Sequence, residues 1–259
     1  MELLPKHGQI NCSKCFSTSD IEFDVSMEGT RDWRIKANPL AWGSTNPKIV
    51  VLGFSKGPTQ NGALTNSPHD EIAYKGSRKN VGKILSHIGL LDIEPNEMLS
   101  SAVDKIISDR EGNFHFGSLI RCTVERFDKK STTWKGSGGG MLDKFISTLF
   151  GENVANNCTT RFLSSLPNET QLIVMFGLGN KLNYVREAYW LYEAARPGEW
   201  KWLNEISYTD GKITVVHVEH FASQGALVPN WLGINDHDRK KYGIQAKEAV
   251  EMSGVIPTL

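Results

Sequence analysis

Two kinds of apolar run alternate along the chain, one short and β-branched, the other spaced as on a helix face. Ile49, Val50, Val51 and Leu52 form the first kind within residues 47–62, PKIVVLGFSKGPTQNG, and read as a buried strand of a parallel sheet. QLIVMFGLG and ITVVHVEHF read as further strands, and FHFGSLIRC is strand-like through Phe116, Leu119 and Ile120. VGKILSHIGLL has helical spacing at Val81, Ile84, Leu85 and Ile88. Helices are also predicted in DIEPNEMLSSAVDKII, MLDKFISTLFGENV, CTTRFLSSL, residues 180–195 and DRKKYGIQAKEAVEM. Residues 16–46 set tryptophans and phenylalanines among polar residues and turn signals, and read as loops and short strands. ERFDKKSTTWKGSGGG reads as a basic, Gly-rich, exposed loop.

Strands separated by helices predict an α/β fold, a three-layer αβα sandwich around a central, mostly parallel sheet. In such folds ligands bind beyond the carboxyl ends of the strands. Gly53 ends the first strand there, and Phe54, Ser55, Lys56, Gly57, Pro58 and Thr59 follow it. A tight βα turn with glycines for geometry alone is the plain alternative.

The chain has 259 residues and no long Gly/Ser/Pro linker, so one domain over 1–259 is expected. Lys plus Arg and Asp plus Glu both total 29, so no global charge advertises a nucleic-acid partner, and any basic face must be local. The start MELLPKHGQINC lacks a signal h-region, and no apolar run approaches a membrane span. A soluble, cytoplasmic monomer with no membrane contact and no obligate protein partner is the expectation.

There are four cysteines, Cys12, Cys15, Cys122 and Cys158. In a reducing cytosol structural disulfides are not expected of them. Cys12-x-x-Cys15 is a chelating spacing, and two distant thiols complete a four-thiolate site if the fold brings them near. The plain alternative is a turn plus two buried thiols. Four thiolates alone do not separate zinc from an iron–sulfur cluster.

Taken in order, these blocks resemble the uracil-DNA glycosylase superfamily, most nearly its iron–sulfur-containing family 4 branch. That branch opens with CxxC, as at Cys12 and Cys15. A strand then runs into a Gly-Glu-x-Pro-Gly loop, where this chain has GFSKG. AYKGSRKNVGKIL stands for its Pro-Phe-Val-Gly block and helix, and SLIRC for Asn-Val-Val-Lys-Cys. CTTRFLSSLPNETQLIVMFGLG matches a Cys, a helix and a Pro-x-x-Ile-Val-x-x-Leu-Gly strand, and HFASQG the closing His-Pro-Ala or His-Pro-Ser. Five blocks in register span Cys12 to about Trp231. The resemblance implies a [4Fe–4S] cluster held by all four cysteines. It makes residues 1–46 the N-terminal cluster-binding segment of a glycosylase-like domain and 230–259 a C-terminal helix packed on it.

The resemblance also implies a DNA glycosylase of base excision, a hydrolase with DNA as partner. Such an enzyme extrudes the target nucleotide and cleaves its C1′–N bond. His220 occupies the family's histidine position, where it stabilises the departing base. His217, within the strand, reads as structural. Tyr74 stands in the aromatic place that stacks on the flipped base, and Gly53, Phe54, Ser118 and Ser223 complete the substrate-binding set. Lys56, Lys129, Lys130 and Lys135 are the candidate DNA contacts, with a solvated charge run as the plain alternative.

The departures are as informative. Where the family's loop carries the glutamate that positions water stand Phe54, Ser55 and Lys56, leaving Ser55 or the nearby Asp70 and Glu71 to take its part. Ser118 replaces the asparagine that reads uracil, and Phe221 replaces the proline after the histidine. A shorter hydroxyl cannot make both amide bonds, so the expected base is not plain uracil but a bulkier modified pyrimidine, such as a hypermodified cytosine of phage DNA removed as antiviral defence. An ordinary uracil enzyme of DNA repair and a catalytically silent nucleic-acid-binding protein are the alternatives.

Overall fold

The apolar runs pair in register at the centre of a large sheet. In chain order the strands are β1 (Gly8–Gln9), β2 (Met27–Gly29), β3 (Trp33–Lys36), β4 (Leu40–Gly43), β5 (Ile49–Gly53), β6 (Phe114–Ser118), β7 (Thr123–Asp128), β8 (Thr133–Gly136), β9 (Leu172–Phe176), β10 (Lys201–Asn204), β11 (Ser207–Thr209) and β12 (Thr214–Val218). The helices are α1 (Pro58–Ala63), α2 (His69–Ile72), α3 (Arg78–His87), α4 (Leu99–Ser108), α5 (Leu142–Ile146), α6 (Leu149–Leu163), α7 (Asn183–Ala195), α8 (Leu227–Trp231) and α9 (Lys240–Met252). The computed structural model describes residues 3–93, 97–223 and 225–255.

The fold is mixed α/β, and its large sheet has the order β1-β4-β6-β5-β9-β12-β11-β10. The four central strands, β6, β5, β9 and β12, are parallel. Every residue of β6, β9 and β12 is buried, as expected of strands covered on both faces. Both flanks are antiparallel, β1 and β4 on one side and β11 and β10 on the other. The expectation of a mostly parallel sheet is therefore corrected to a mixed one with a parallel centre. The short flanking strands lie in stretches with no long apolar run, so periodicity did not expose them.

A second, antiparallel sheet was not foreseen, with the order β2-β3-β7-β8. Ile35 of β3 faces Val124 of β7, and both are fully buried. The supposed exposed loop of residues 125–140 is in large part the β7–β8 hairpin, paired from Glu125–Gly136 out to Asp128–Thr133. Thr132 takes a positive φ of 52° in its turn.

Among the helices, α3 and α4 pack together, α4 lies against β4 and β6, and α9 lies on β12. MLDKFISTLFGENV and CTTRFLSSL resolve differently from expectation, into α5 and one longer α6. Thr148 caps α6 by accepting the Gly151 N–H at 3.1 Å. Its buried stripe, Val154, Ala155, Cys158 and Phe162, continues past the polar pair Asn156 and Asn157. The helix expected from Asp92 begins at Leu99, and residues 94–96 of that expectation lie outside the described residues. No helix among the described residues is long and apolar enough to cross a membrane.

Candidate active site and thiol centre

The parallel register brings the carboxyl ends of the central strands level, with Gly53 opposite Ser118 and Phe176 opposite Val218. A cavity of about 220 Å³ opens there. Gly53, Phe54 and Ser55 line it after β5, Gly117 and Ser118 at the end of β6, and His220 to Ala222 after β12. Tyr74 and Ser77 close one wall, and Ser137 and Gly138, at the foot of the hairpin, another. Six residues expected at the site, Gly53, Phe54, Ser55, Tyr74, Ser118 and His220, thus share one cavity. No Asp or Glu is among the described residues that line it.

Three of these side chains are locked by packing. Phe54 sets its ring edge-on to Phe145 and Tyr184. Tyr74 is buried edge-on to Phe116, Phe176 and Phe221, at 4.9 Å from the last. Its backbone holds a φ of +52°, a strained value for a bulky residue and the kind that persists where the surroundings dictate it. Burial pushes the Tyr74 phenol up, so it stays neutral, and its hydroxyl meets no hydrogen-bond partner. Ser55 Oγ lies 3.4 Å from both the Ser137 carbonyl, to which it donates, and the Val124 amide, from which it accepts.

The His220 loop is fixed from several sides. The Ala222 N–H donates to His220 Nδ1 at 3.1 Å, so Nδ1 is an acceptor and the neutral ring carries its proton on Nε2. Burial lowers the His220 pKa below the usual value, against the pull of the Glu219 carboxylate. Glu219 Oε1 accepts the His220 N–H and the Ser223 hydroxyl, each at 2.9 Å, and Oε2 takes Arg239 Nε at 2.5 Å. Asn80 Nδ2 on α3 donates to the Phe221 carbonyl at 2.9 Å. The Phe221 ring stacks on His220 at 4.4 Å. Asn80, Glu219 and Arg239 were missed by sequence reasoning. The signal for Glu219 was a carboxylate at the end of an all-buried strand. His217 is structural in its contacts, bonded to the Gly177 carbonyl at 3.1 Å and the Tyr208 hydroxyl at 3.2 Å.

Other expected site residues lie elsewhere. Asp70 is not in the cavity but binds His7 Nε2 at 2.7 Å, because α2 turns it towards the N-terminal segment. Ser223 lines a neighbouring hollow of about 280 Å³ with Glu219 and Arg239, its hydroxyl turned to Glu219. Lys56, expected on the DNA-facing surface, is 2% exposed, and its ammonium donates to the Arg121 carbonyl. Burial lowers its pKa to about 8. Lys135 is paired with Asp128 and Lys129 with Asp32, at 3.7 Å for the latter, across the hairpin and its neighbour. Only the third cation of that set, Lys130, has no acidic partner among the described residues.

The four cysteines lie in one region, where Cys15 and Cys158 are in hydrogen-bond contact. All are free thiols. Helix α6 presents Asn157, Cys158 and Arg161 to the CxxC turn. Asn157 Nδ2 lies 3.6 Å from Cys15 Sγ, and Arg161 Nη1 lies 3.3 Å from Cys12 Sγ. Cys158 and Cys15 share a hydrogen bond that lowers the pKa of Cys15 and raises that of Cys158. Cys122 is pushed up to about 12, by burial first, and feels the charges of Cys15 and Cys12. Among the described residues no three His, Cys, Asp or Glu side chains gather tightly enough to hold a single ion. Two fully buried cations, Lys56 and Arg121, stand beside the thiols, and the Arg121 guanidinium nitrogens have no acceptor. A buried charge without a partner is costly, so this donor set fits an anionic four-thiolate centre.

No family model matches the chain, and no curated protein matches it.

Proposed function

We propose that the protein is a DNA glycosylase that hydrolyses the N-glycosidic bond of a flipped-out, non-standard base and leaves an abasic site. The observation that carries this reading is the Nε2–H tautomer of His220, fixed by the Ala222 amide at the rim of a base-sized cavity at the sheet's carboxyl edge. As the C1′–N bond breaks, the bonding electrons leave with the base, and water adds as hydroxyl to C1′ while its second proton passes through solvent to the departing base. A neutral imidazole donating from Nε2 stabilises the negative charge that develops on the base oxygen. Tyr74 and Phe221 form the aromatic wall, and the hydroxyls of Ser55, Ser77, Ser118 and Ser137 are among the polar groups of the lining that can orient base and water. Ser118 in place of an asparagine leaves room for a substituted pyrimidine, so a hypermodified cytosine of phage DNA, removed in antiviral defence, is the preferred substrate.

Cys12, Cys15, Cys122 and Cys158 would hold a [4Fe–4S] cluster. Four thiols with a CxxC spacing, beside two buried cations, support such a centre, with zinc as the alternative. When bound, such a cluster supplies thiolate bonds that tie the N-terminal segment, the end of β6 and α6 together.

The carboxylate-free lining of the cavity favours one second reading, a nucleic-acid-binding protein without catalysis. Mass spectrometry of bases released from natural and phage DNAs separates the possibilities. A modified pyrimidine released with alkali-labile abasic sites is the expected result. Release of uracil alone would make this an ordinary repair enzyme, and binding without any release would make it a binding protein.

A further inference from the structure

Arg121 lies in the bend after β6, next to Cys122, and is 2% exposed. None of its three guanidinium nitrogens has a hydrogen-bond acceptor among the described residues. Its plane sits over the Phe162 ring at 5.1 Å, one helical turn beyond Cys158 on α6. The Arg121 backbone hydrogen-bonds the Cys158 thiol, so the residue stands directly against the thiol set. On its other side the guanidinium lies under the floor of the cavity. A Cβ added to Gly117, which lines the cavity, would stand 1.6 Å from Arg121 Nη1, so only glycine allows the approach. Tyr74, on the cavity wall, also feels this charge.

A guanidinium removed from water with no acceptor is strongly unfavourable unless an anion stands nearby. Among the described residues none hydrogen-bonds to it, and the residue itself borders two of the thiols, Cys122 in sequence and Cys158 through its backbone. Lys56, the second buried cation, already spends its ammonium on the Arg121 carbonyl, and Arg161 reaches Cys12 and the Asn11 carbonyl from the surface. We propose that Arg121 is the buried counter-ion of the four-cysteine centre, held between Cys158 and the Gly117 floor, and that its charge sets the reduction potential of the cluster bound there. This inference rests on the cluster assigned above. A positive charge beside such a centre favours its reduced, more negative form, so the charge raises the potential.

The test compares Arg121→Met with Arg121→Lys by iron content and by potentiometric titration of the visible spectrum, on anaerobically purified full-length protein. The expected result is a lysine variant with the iron and potential of the wild type, and a methionine variant that is iron-poor, insoluble, or shifted to lower potential. Iron retained at the wild-type potential in Arg121→Met would overturn the proposal. So would a lysine variant as iron-poor as the methionine one, since charge at that place would then not be what the centre requires. Wild-type protein without iron would instead remove the cluster assignment itself, an outcome read before either variant.

Discussion

The His220 loop and the thiol centre are both built on buried charge, yet they close differently. In the loop every charge is answered from within the chain: Glu219 by Arg239, Ser223 and the His220 amide, and His220 by the Ala222 amide. At the thiol centre the charges are left open. Arg121 has no acceptor, and the thiols lean on one another. The first arrangement is preorganised, which is what a donor acting on a developing charge requires. The second leaves a buried guanidinium without an acceptor among the described residues, which the proposed cluster would answer.

That contrast can be broken most forcefully at the thiols. Cys122→Ser should bleach the brown colour expected of the loaded protein and leave it largely insoluble, because the metal joins segments far apart in sequence. Iron analysis and sedimentation check this, and a colourless wild type with one zinc per chain would end the cluster assignment. At the loop, His220→Ala should keep fold, iron and DNA affinity while cutting base release at least about a hundredfold, the scale of one lost transition-state donor. Single-turnover release from a substrate oligonucleotide measures it.

Glu219→Gln sharpens the comparison without touching the imidazole. It keeps an acceptor for the His220 amide but drops the charge opposite Arg239, and should cost about 2 kcal/mol of stability in urea unfolding. An unchanged unfolding midpoint would mean the loop is held by packing alone. The pH dependence comes from two buried histidines of the central sheet. His217 and His115 are held neutral, burial pushing them down to about 4 and about 3. Below pH 6.5 the unfolded chain therefore takes up protons that the folded one refuses, and stability should fall steadily from there towards pH 3. Thermal melts across that range test the sign, and stability rising on acidification would contradict it. The smallest effect is expected on the hairpin. With Lys129 and Lys135 engaged by acids, Lys130→Ala should reduce the salt slope of DNA binding by about one unit, and the other two by less.

Much of the molecule was legible in the chain because its signals are local. The apolar runs at Ile49–Gly53, Leu172–Phe176 and Thr214–Val218 are strands, and their register follows from hydrophobic burial on both faces. That alone placed Gly53, Phe54, Ser55 and His220 at one edge. Five of the six residues named from sequence share the cavity because strand ends converge, while Tyr74 reaches it from the connection between α2 and α3.

What escaped depended on contacts between distant segments. The β7–β8 hairpin took a stretch that reads as a charged loop, since its strands are stabilised by cross-strand pairs such as Phe127 with Trp134 and by β3 beside it. Lys56 carries a surface residue's chemistry, but the turn after β5 aims it inward at the Arg121 carbonyl. Asp70 sits near Tyr74 in sequence, yet α2 directs its carboxylate to His7 rather than to the cavity. The sequence by itself determined the central strands, the edge at which they converge and the four thiols. Only the tertiary structure decided which charges face the cavity, which face the thiols and which face solvent, because a side chain's direction is set by the segments packed around it and not by its own neighbours in the chain.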